Sequence, residues 1–354
     1  MANEPVAYIH LDAIRHNFSY AQSLAPKSKV MAIVKADAYG HGAARVCRAL
    51  TEADAFGVAR VIEAVALRES GIDKPIVVLE GFIDEEELNI CRINRLTPVL
   101  HSGYQVALVK QPRHIDLGIW IKVDTGMHRL GFSVEEFRTG MMTGHSLNVV
   151  GVMSHLANAD VPGHKENLAQ IEVFNEVTRD LDCELSLANS GAIVHYATSH
   201  SDWIRPGIML YGGSPTSVAD SNLKPGMTLM APVVSVNRVC AGESIGYGSN
   251  WFAPTDTRVA VVGIGYADGY PREIREGVPV VINGELRPIV GRISMDMTYV
   301  QLRDGDDVAP GDLATLWGHG LPVDEVASWI PTISYALMSG LTGRVNRSYE
   351  MGDD

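Results

Sequence analysis

Cysteine is scarce in this sequence, and the few cysteines present are scattered. The 354-residue chain has four of them, and no two stand in a CxxC spacing. A zinc cage needs closely spaced ligand pairs, and a disulfide framework is typical of short, cysteine-dense secreted chains. The sequence therefore argues against both kinds of site, and we interpret the cysteines as reduced thiols in a reducing compartment.

Basic charge and long apolar runs are also lacking. Lysine and arginine number 29 against 42 aspartates and glutamates, which gives a formal net charge of −13. Because nucleic acids and anionic membranes attract basic surfaces, we expect neither as a partner. No apolar run approaches the roughly 18 residues of a spanning helix, and the N-terminus has no signal-peptide core. We therefore expect a cytoplasmic protein, and its charge is compatible with a small-molecule substrate.

The length of the chain suggests two domains, and the first two-thirds alternate short strands with amphipathic helices. Runs rich in β-branched residues predict eight strands, at residues 30–34, 56–59, 76–79, 97–100, 119–123, 149–153, 185–188 and 203–205. Helical patterns lie between them, among others at residues 43–50, 62–70, 84–94 and 167–182. This α/β alternation predicts a closed (β/α)8 TIM-type barrel over residues 11–220.

The pattern changes after residue 220 to short strands separated by Gly, Pro and Asn-Gly turns. We expect strands at residues 233–239, 258–262, 279–282, 286–290, 298–301 and 312–316. A helical pattern returns only at residues 323–341. The sequence thus predicts a mostly antiparallel β-domain over residues 221–354, with the N-terminal segment 1–10 contributing a further strand.

Two lysines stand at the ends of predicted barrel strands, where such barrels hold their active sites. Lys35 follows the first strand. A lysine there can lose its charge by desolvation and act as an amine nucleophile toward an aldehyde. A lysine that merely extends its ammonium group into water at a strand end is the alternative. Lys122 lies inside an apolar strand and must be paired or neutralised, and Asp124 is its simplest partner.

Further polar residues follow later strands toward the same rim. Arg129 can hold a carboxylate with two parallel donors, or it forms an ordinary surface ion pair. His155 follows the sixth strand and Arg205 ends the eighth. A lone histidine is more often a core residue with satisfied hydrogen bonds than a catalytic group. Position alone therefore favours a catalytic rim without fixing the role of any one of these residues.

Two kinds of glycine-containing segment complete the set of candidates. The segments after strands seven and eight, with Ser190 and with Gly207 and Ile208, are where barrels commonly bind phosphate. In the predicted β-domain, Tyr247 and Tyr266 each stand in a tyrosine–glycine cluster. Such tyrosines are either functional or simply turn residues that pack over the backbone.

Eight sequence strings, taken together and in their order, resemble those of alanine racemases, a family of fold-type III pyridoxal-phosphate enzymes. They are AIVKADAYGHG (32–42), KVDTGMHRLGF (122–132), SHLANAD (154–160), RPGIMLYG (205–212), IGYGSNW (245–251), IGYADGYPR (264–272), VGRISMDM (290–297) and TISYALM (332–338). The match covers nearly the whole chain. It implies an N-terminal barrel, a C-terminal β-domain and a head-to-tail homodimer.

The resemblance also implies residue roles. Lys35 would hold pyridoxal 5′-phosphate as a Schiff base (the internal aldimine), and Arg205 would contact the pyridine nitrogen. The implied phosphate cradle consists of Tyr39, Ser190, Gly207, Ile208 and Tyr335. Arg129 and Met295 match positions that hold the substrate carboxylate, and Lys122 matches a lysine that is often carbamylated in this family.

The implied reaction interconverts L-alanine and D-alanine by means of two bases. Lys35 serves the face that takes the proton of D-alanine, and Tyr247, which with Met295 arrives from the partner subunit, takes that of L-alanine. A free tyrosine has a pKa of about 10, so contact through His155 toward the cation Arg205 is expected to favour the phenolate. The D-alanine would supply peptidoglycan, or it would be degraded.

Two alternatives remain open from the sequence. A fold-type III amino-acid decarboxylase would use an acidic residue at the ring nitrogen and a cysteine near the substrate. This sequence has Arg205 and Tyr247 in the corresponding places. A non-catalytic pyridoxal-phosphate-binding barrel protein would have no need of a β-domain of roughly 130 residues.

Overall fold

The computed structural model describes residues 4–114, 116–141, 147–216 and 218–350. The chain divides into two compact units. The barrel unit comprises Arg15–Leu210 and Ser214–Leu223, and the C-terminal unit comprises Met1–Ile14, Tyr211–Gly213 and Lys224–Asp354. Within the described ranges no helix is long and apolar enough to cross a membrane.

Eight parallel strands close into a barrel in the barrel unit. Strand β1 (Val6–His10) precedes them and belongs to the C-terminal unit. The barrel strands are β2 (Lys29–Ile33), β3 (Ala55–Val58), β4 (Ile76–Val78), β5 (Thr97–Leu100), β6 (Ile119–Lys122), β7 (Val149–Met153), β8 (Glu184–Asn189) and β9 (Trp203–Arg205). Each pairs with the next, and β9 closes the ring on β2. The expected barrel is confirmed, and every strand end lies within one residue of its expected position.

Helices follow the strands around the barrel. They are α1 (Leu11–Leu24), α2 (Lys35–Gly40), α3 (Ala43–Ala49), α4 (Val61–Glu69), α5 (Glu85–Ile93), α6 (Gly103–Val109), α7 (Val134–Glu136), α8 (Lys165–Thr178) and α9 (Ser190–His195). Short turns of 3₁₀ or π helix lie at Pro112–His114, Phe137–Met141, Ala197–Ser199 and Ile208–Tyr211. Strands β3, β4 and β6 are buried along their whole length, because side chains fill the barrel on one face and helices cover the other.

The C-terminal unit is a mostly antiparallel sheet, as expected. After β1 its strands are β10 (Met227–Val239), β11 (Ser244–Ile245), β12 (Trp251–Phe252), β13 (Thr257–Val262), β14 (Pro279–Ile282), β15 (Glu285–Pro288), β16 (Thr298–Leu302), β17 (Leu313–Trp317) and β18 (Asn346–Glu350). The main sheet has the order β15-β14-β17-β10-β1-β18, and β13 pairs with both β10 and β16. Two 3₁₀ turns, Tyr247–Ser249 and Tyr266–Asp268, lie in its loops.

Three expectations for the C-terminal unit are wrong in detail. The helix expected at 323–341 is two helices, α10 (Val323–Trp329) and α11 (Ser334–Ser339). Ile330 between them is extended, because the following Pro331 disfavours helical backbone in the residue before it. Strand β10 begins six residues before the expected 233, and β18 was not expected. Both pair with β1, a partner distant in sequence that local patterns do not reveal.

Candidate active site

Five of the expected site residues stand at the C-terminal ends of barrel strands. Lys35 follows β2, Lys122 ends β6, His155 follows β7, Ser190 follows β8 and Arg205 ends β9. Because all eight strands are parallel, these ends meet at one rim of the barrel. The structure therefore brings together side chains that lie as much as 170 residues apart in the chain.

The segment that begins with Lys35 has an unusual backbone. Four consecutive residues of α2, from Ala36 to Tyr39, have φ angles of 52° to 54° and form a left-handed turn. For residues with a Cβ this conformation costs about 1–2 kcal/mol each, so other contacts must hold the turn. Two of these contacts are made with residues just outside the turn. The Asp37 Oδ1 accepts a hydrogen bond from the Ala43 N–H (2.7 Å), and the Ala38 N–H donates to the Val34 carbonyl (2.8 Å).

The Lys35 amine is partly buried in a positive environment. Burial and then the nearby Arg129 guanidinium lower the pKa of Lys35, while the carboxylates of Glu80 and Glu63 act in the opposite direction. A lower pKa leaves more of the amine neutral near pH 7, and the neutral amine is the form that attacks a carbonyl or accepts a proton. Lys35 thus has the chemistry expected of an amine nucleophile and base.

The barrel unit also contains a set of hydrogen-bond donors suited to a phosphate group. The Ser190 Oγ accepts a hydrogen bond from the Gly207 N–H at 2.8 Å. A Cβ at Gly207 would lie 2.8 Å from the Tyr39 hydroxyl, so only glycine allows this approach. Burial raises the pKa of Tyr39 to about 12, which keeps its hydroxyl a donor. Ile208 is buried beside them and begins the next 3₁₀ turn. Two hydroxyls and the adjacent backbone therefore fit a phosphate such as that of pyridoxal phosphate.

Arg205 is buried and fixed by contacts to the barrel wall. Its Nη1 donates to the Ser186 Oγ (2.6 Å), and its Nη2 donates to the carbonyls of Ser154 (2.6 Å) and Leu187 (3.2 Å). Burial lowers the pKa of Arg205 to about 10, so the group stays a cation near neutrality. Among the described residues its Nε–H has no acceptor, so this oriented donor can serve a ligand atom.

His155 is neutral and receives a hydrogen bond from Arg205. The Nη2 of Arg205 lies 3.4 Å from the His155 Nδ1, and since a guanidinium only donates, Nδ1 is the acceptor. On the other side of the ring, the Asn189 Nδ2 lies 3.5 Å from the His155 Nε2, at the outer limit of a hydrogen bond. Burial and the cations Arg205 and Lys122 hold the pKa of His155 well below its ordinary range. His155 is therefore a neutral ring whose Nδ1 faces a buried cation and whose Nε2 faces the Asn189 amide.

Lys122 is buried in the same cluster of cations. Burial and the charges of Arg205, Arg129 and Lys35 lower its pKa to about 8. The ion pair with Asp124 that the sequence suggested is not found among the described residues. The Asp124 carboxylate instead shapes the loop after β6, where its Oδ1 accepts from three backbone N–H groups, those of Gly126 (2.9 Å), Met127 (3.0 Å) and His128 (3.1 Å). This loop carries Arg129, and Arg129, Lys122 and His155 line one pocket.

Tyr247 lies in the C-terminal unit on an exposed turn. The turn joins β11 and β12, and glycines with positive φ angles, Gly246 (72°) and Gly248 (79°), flank the tyrosine. Trp251 of β12 packs in the hydrophobic core of this unit, so the base of the turn is anchored. The Tyr247 side chain itself is 72% exposed in the single chain. A rigid hairpin thus presents a phenol to the outside.

Met295 and Tyr266 lie on two loops of the C-terminal unit that are hydrogen-bonded to each other. The Tyr266 N–H donates to the Ser294 carbonyl (3.1 Å), and the Ala267 N–H donates to the Met295 carbonyl (3.0 Å). Both side chains are exposed. Tyr335 lies in α11 of the same unit and is half-buried.

The sequence matches two models of known protein families, one for each part of the chain. Residues 9–215 match the N-terminal domain of alanine racemase, and residues 226–349 match its C-terminal domain. The chain belongs to the alanine racemase family. An alanine racemase of Aeromonas hydrophila is 44% identical over 352 residues, which cover 97% of this chain and 99% of that protein. One of Vibrio cholerae is 43% identical over 351 residues, 97% of each chain.

Solved structures of alanine racemases have the same fold. The biosynthetic alanine racemase of Pseudomonas aeruginosa superimposes with a TM-score of 0.94 at 40% identity, over 99% of this chain and 100% of the other. The alanine racemase of Bartonella henselae, solved with covalently bound pyridoxal phosphate, gives 0.92 at 30% identity, again over 99% and 100%. The expected family, enzyme class and cofactor are confirmed, and both alternatives kept from the sequence are disfavoured.

One residue beside this rim of the barrel was not predicted from the sequence. Gln170, buried on α8, accepts a hydrogen bond from the Ala157 N–H (2.9 Å). It also donates to the His155 carbonyl (3.1 Å) and the Thr125 Oγ1 (3.2 Å). The side chain thus ties the loops after β6 and β7 together. The available signal was a polar residue on the apolar face of the expected helix 167–182.

Proposed function

We propose that this protein interconverts L-alanine and D-alanine with Lys35 of one chain and Tyr247 of the partner subunit as its two bases. The observation that carries the proposal is the Lys35 amine. It is partly buried, its pKa is lowered by burial and by Arg129, and it follows β2 at the rim that also holds the phosphate-type donors. A neutral amine in this place can hold an aldehyde cofactor and can also take or give a proton at the substrate carbon.

Residues of the barrel unit would hold the cofactor at both of its ends. Pyridoxal phosphate, when bound, supplies the electron sink that acidifies the substrate Cα–H. The Ser190 hydroxyl, the Tyr39 hydroxyl and the backbone N–H groups of Gly207 and Ile208 would donate to its phosphate. We add Tyr335 to this cradle on the family resemblance alone.

Arg205 would bind the pyridine nitrogen through its Nε–H, which has no acceptor among the described residues. A guanidinium does not give up its proton, so this contact leaves the nitrogen an acceptor. An acidic residue in the same place would instead let the nitrogen carry a proton. The arginine therefore weakens the electron sink, which favours return of the proton to the substrate carbon over transamination.

The second base needs a nearby cation to act near neutral pH. His155 accepts from Arg205 at Nδ1, so it would carry its own proton on Nε2 once the partner's phenol replaces the Asn189 amide, which lies 3.5 Å away, as the neighbour of that nitrogen. That Nε2–H would donate to the phenolate oxygen of the partner's Tyr247 and stabilise its charge. Tyr247 would then take the proton of L-alanine on one face, and Lys35 would take that of D-alanine on the other.

Arg129 and the partner's Met295 would hold the substrate carboxylate, and Lys122 would orient Arg129. We propose that the neutral Lys122 amine adds to carbon dioxide. A C–N bond forms, one proton leaves, and the product carbamate is an anion. The lowered pKa of Lys122, about 8, supplies the neutral amine, and the surrounding cations favour the negative product. The carbamate would accept hydrogen bonds from Arg129.

The assembly implied by these roles is a head-to-tail homodimer with two shared sites. Tyr247 and Met295 are exposed in the single chain, on loops fixed to a sheet, which suits residues that act in another subunit. The D-alanine product would supply peptidoglycan or be degraded.

Mapping the cofactor by reduction tests the central assignment. Borohydride reduces the bond between the cofactor and its lysine, and peptide mass spectrometry of the holoenzyme then locates the adduct. We expect the pyridoxyl group on Lys35 in the peptide that spans residues 32–42. Lys122 is the internal control, since it is the other buried lysine at the rim. An adduct on Lys122, or on any lysine besides Lys35, would refute the proposal.

A further inference from the structure

The left-handed turn after Lys35 is held by a carboxylate that comes from another part of the barrel. The Ala36 N–H donates to the Glu63 Oε1 at 2.7 Å. The other oxygen, Oε2, accepts from the N–H groups of Ala59 (2.7 Å) and Arg60 (3.0 Å). Glu63 is the third residue of α4, so this one side chain joins the segments that follow the neighbouring strands β2 and β3.

The place of this contact matters because the turn is locally unfavourable. Ala36 is the first of the four residues with positive φ, and it is bonded directly to Lys35. An amide in left-handed backbone that lost its acceptor would gain by leaving that conformation. Tyr39, whose hydroxyl lies against Gly207, is the last residue of the same turn. The geometry at Ala36 therefore governs the positions of both Lys35 and Tyr39.

We propose that Glu63 is a positioning residue whose carboxylate locks the left-handed turn, so that the Lys35 amine and the Tyr39 hydroxyl are held in place together. Glu63 acts through the Ala36 amide and need touch neither substrate nor cofactor. The functional consequence rests on the proposed role of Lys35 as the cofactor-bearing lysine. The mechanical consequence, a fixed turn, does not depend on that role.

A matched control exists in the next βα unit. Glu87 is the third residue of α5, as Glu63 is of α4, and its Oε2 accepts from the N–H of Ile83 at 2.8 Å. Among the described residues Glu87 has no hydrogen bond to the turn after Lys35. Replacing either glutamate weakens the start of one helix, but only a change at Glu63 also removes the contact to Ala36.

The first measurement is amide hydrogen exchange of Ala36 in the full-length holoenzyme. In Glu63→Gln one of the two oxygens becomes an NH2 group, which cannot accept from the backbone. The remaining oxygen satisfies two donors on the side of Ala59 and Arg60 but one on the side of Ala36, so the NH2 group should face Ala36. We expect exchange at Ala36 to become at least about ten-fold faster, which corresponds to losing one hydrogen bond to a charged acceptor. Glu87→Gln should leave Ala36 unchanged. Equal exchange at Ala36 in wild type and Glu63→Gln would overturn the proposal.

The second measurement separates positioning from a simple effect of charge. The pH dependence of Lys35 acetylation by acetic anhydride, followed by mass spectrometry on the full chain freed of cofactor, gives the pKa of the amine. The charged or titratable groups near that amine are Arg129, Lys122, His155, Glu80 and Glu63. If Glu63 acted only through its charge, removing it would lower the pKa of Lys35 further. We expect a rise toward the ordinary lysine value, because a loosened turn lets water reach the amine. A fall would contradict the proposal.

Two further variants keep the test decisive if Glu63→Gln folds poorly. Glu63→Asp retains the charge but withdraws the carboxylate by one methylene, and it should give the same fast exchange at Ala36. Adding Ala36→Gly to Glu63→Gln removes the Cβ penalty of the turn and should restore part of kcat, whereas KM for alanine should change little throughout. Wild-type exchange at Ala36 in Glu63→Asp would show that the position of the carboxylate does not hold the turn, and it would contradict the proposal. If the cofactor maps to another lysine, the proposed function fails, while exchange at Ala36 still tests the role of Glu63.

Discussion

The two units of the molecule present their chemistry in opposite ways. In the barrel unit Lys122, Ser190 and Arg205 are buried. Lys35 and His155 are half-buried, and Arg129 is exposed on its loop. Arg205 is only 5% exposed and has four hydrogen-bond contacts. In the C-terminal unit Tyr247 is 72% exposed and Met295 is 52% exposed. The loops that carry these two residues are nonetheless anchored to a sheet and its core.

This contrast indicates a division of labour. The barrel unit has a preorganised site whose charges set one another's pKa values, so it can bind and polarise a ligand within one chain. The C-terminal unit offers rigid but uncovered side chains. Leaving large apolar side chains in water is unfavourable unless something covers them, and a second copy of the chain is the partner that we propose.

The largest effect is expected when one of the two bases is removed from each of two variants and the variants are then mixed. Lys35→Ala and Tyr247→Phe homodimers should each lose a factor of about 10²–10⁴ in activity, because each lacks one acid–base group. A heterodimer of the two variants has one site with both defects and one intact site. Mixing them under conditions of subunit exchange should therefore restore about a quarter of the wild-type activity, since about half of the dimers are heterodimers.

Mass spectrometry of the intact dimers checks that exchange has taken place. Each variant mixed with itself is the control and should remain inactive. If heterodimers form and no activity returns, Lys35 and Tyr247 act within one chain, and the proposed division between a barrel that binds the ligand and a C-terminal unit that serves the partner subunit is wrong.

A smaller effect is expected from changing the electronics of the barrel site alone. Arg205→Glu should let the cofactor nitrogen hold a proton, so racemisation slows and abortive transamination becomes detectable as pyruvate. Arg205→Lys, which keeps the cation but offers fewer fixed donors, controls for the loss of wall contacts. Absorbance of the bound cofactor and pyruvate release are the measurements. An unchanged spectrum and rate in Arg205→Glu would mean that the residue serves only the barrel wall.

The smallest effect on activity is expected from breaking an ion pair between Asp306 and the buried Arg287 in the C-terminal unit. Asp306 binds Arg287 through both of its oxygens, and this contact lowers the pKa of Asp306 to about 2. Asp306→Asn should reduce the free energy of unfolding by about 1.5–3 kcal/mol, while kcat at low temperature stays unchanged. The reason is that the buried Arg287 guanidinium loses its two-oxygen partner and keeps the longer contact to the exposed Glu285 (3.5 Å).

The pH dependence of this pair has a definite sign. A carboxyl whose pKa is depressed by folding stabilises the protein above its unfolded value of about 3.9 and loses that contribution as the pH falls toward about 2. The midpoint temperature of thermal unfolding should therefore fall more steeply over this pH range for the wild type than for Asp306→Asn. Asp256→Asn, at an exposed pair with Arg238, should change stability by less than about 1 kcal/mol. A large loss of kcat in Asp306→Asn would show that this ion pair has more than a structural role.

Much of the fold could be predicted from local sequence because its determinants are local. The eight barrel strands are short buried runs between amphipathic helices, and each was expected within one residue. The failures in the C-terminal unit depend on distant partners. The first half of β10 and all of β18 pair with β1, which is more than 200 residues away from both. The break between α10 and α11 was within reach, since Pro331 is present in the sequence.

For the candidate site, too, the features that depend on local sequence were predicted and those that depend on distant contacts were not. The sequence by itself determined which residue types are present and that strand order would bring Lys35, Lys122 and Arg205 to one rim, because parallel strands end on the same side. Only the tertiary structure decided what surrounds each group. The Asp124 carboxylate binds its own loop and not Lys122, and Glu63 reaches across to Ala36. Burial, hydrogen-bond partners and the resulting pKa values depend on contacts between segments far apart in the chain, and spacing along the sequence does not contain them.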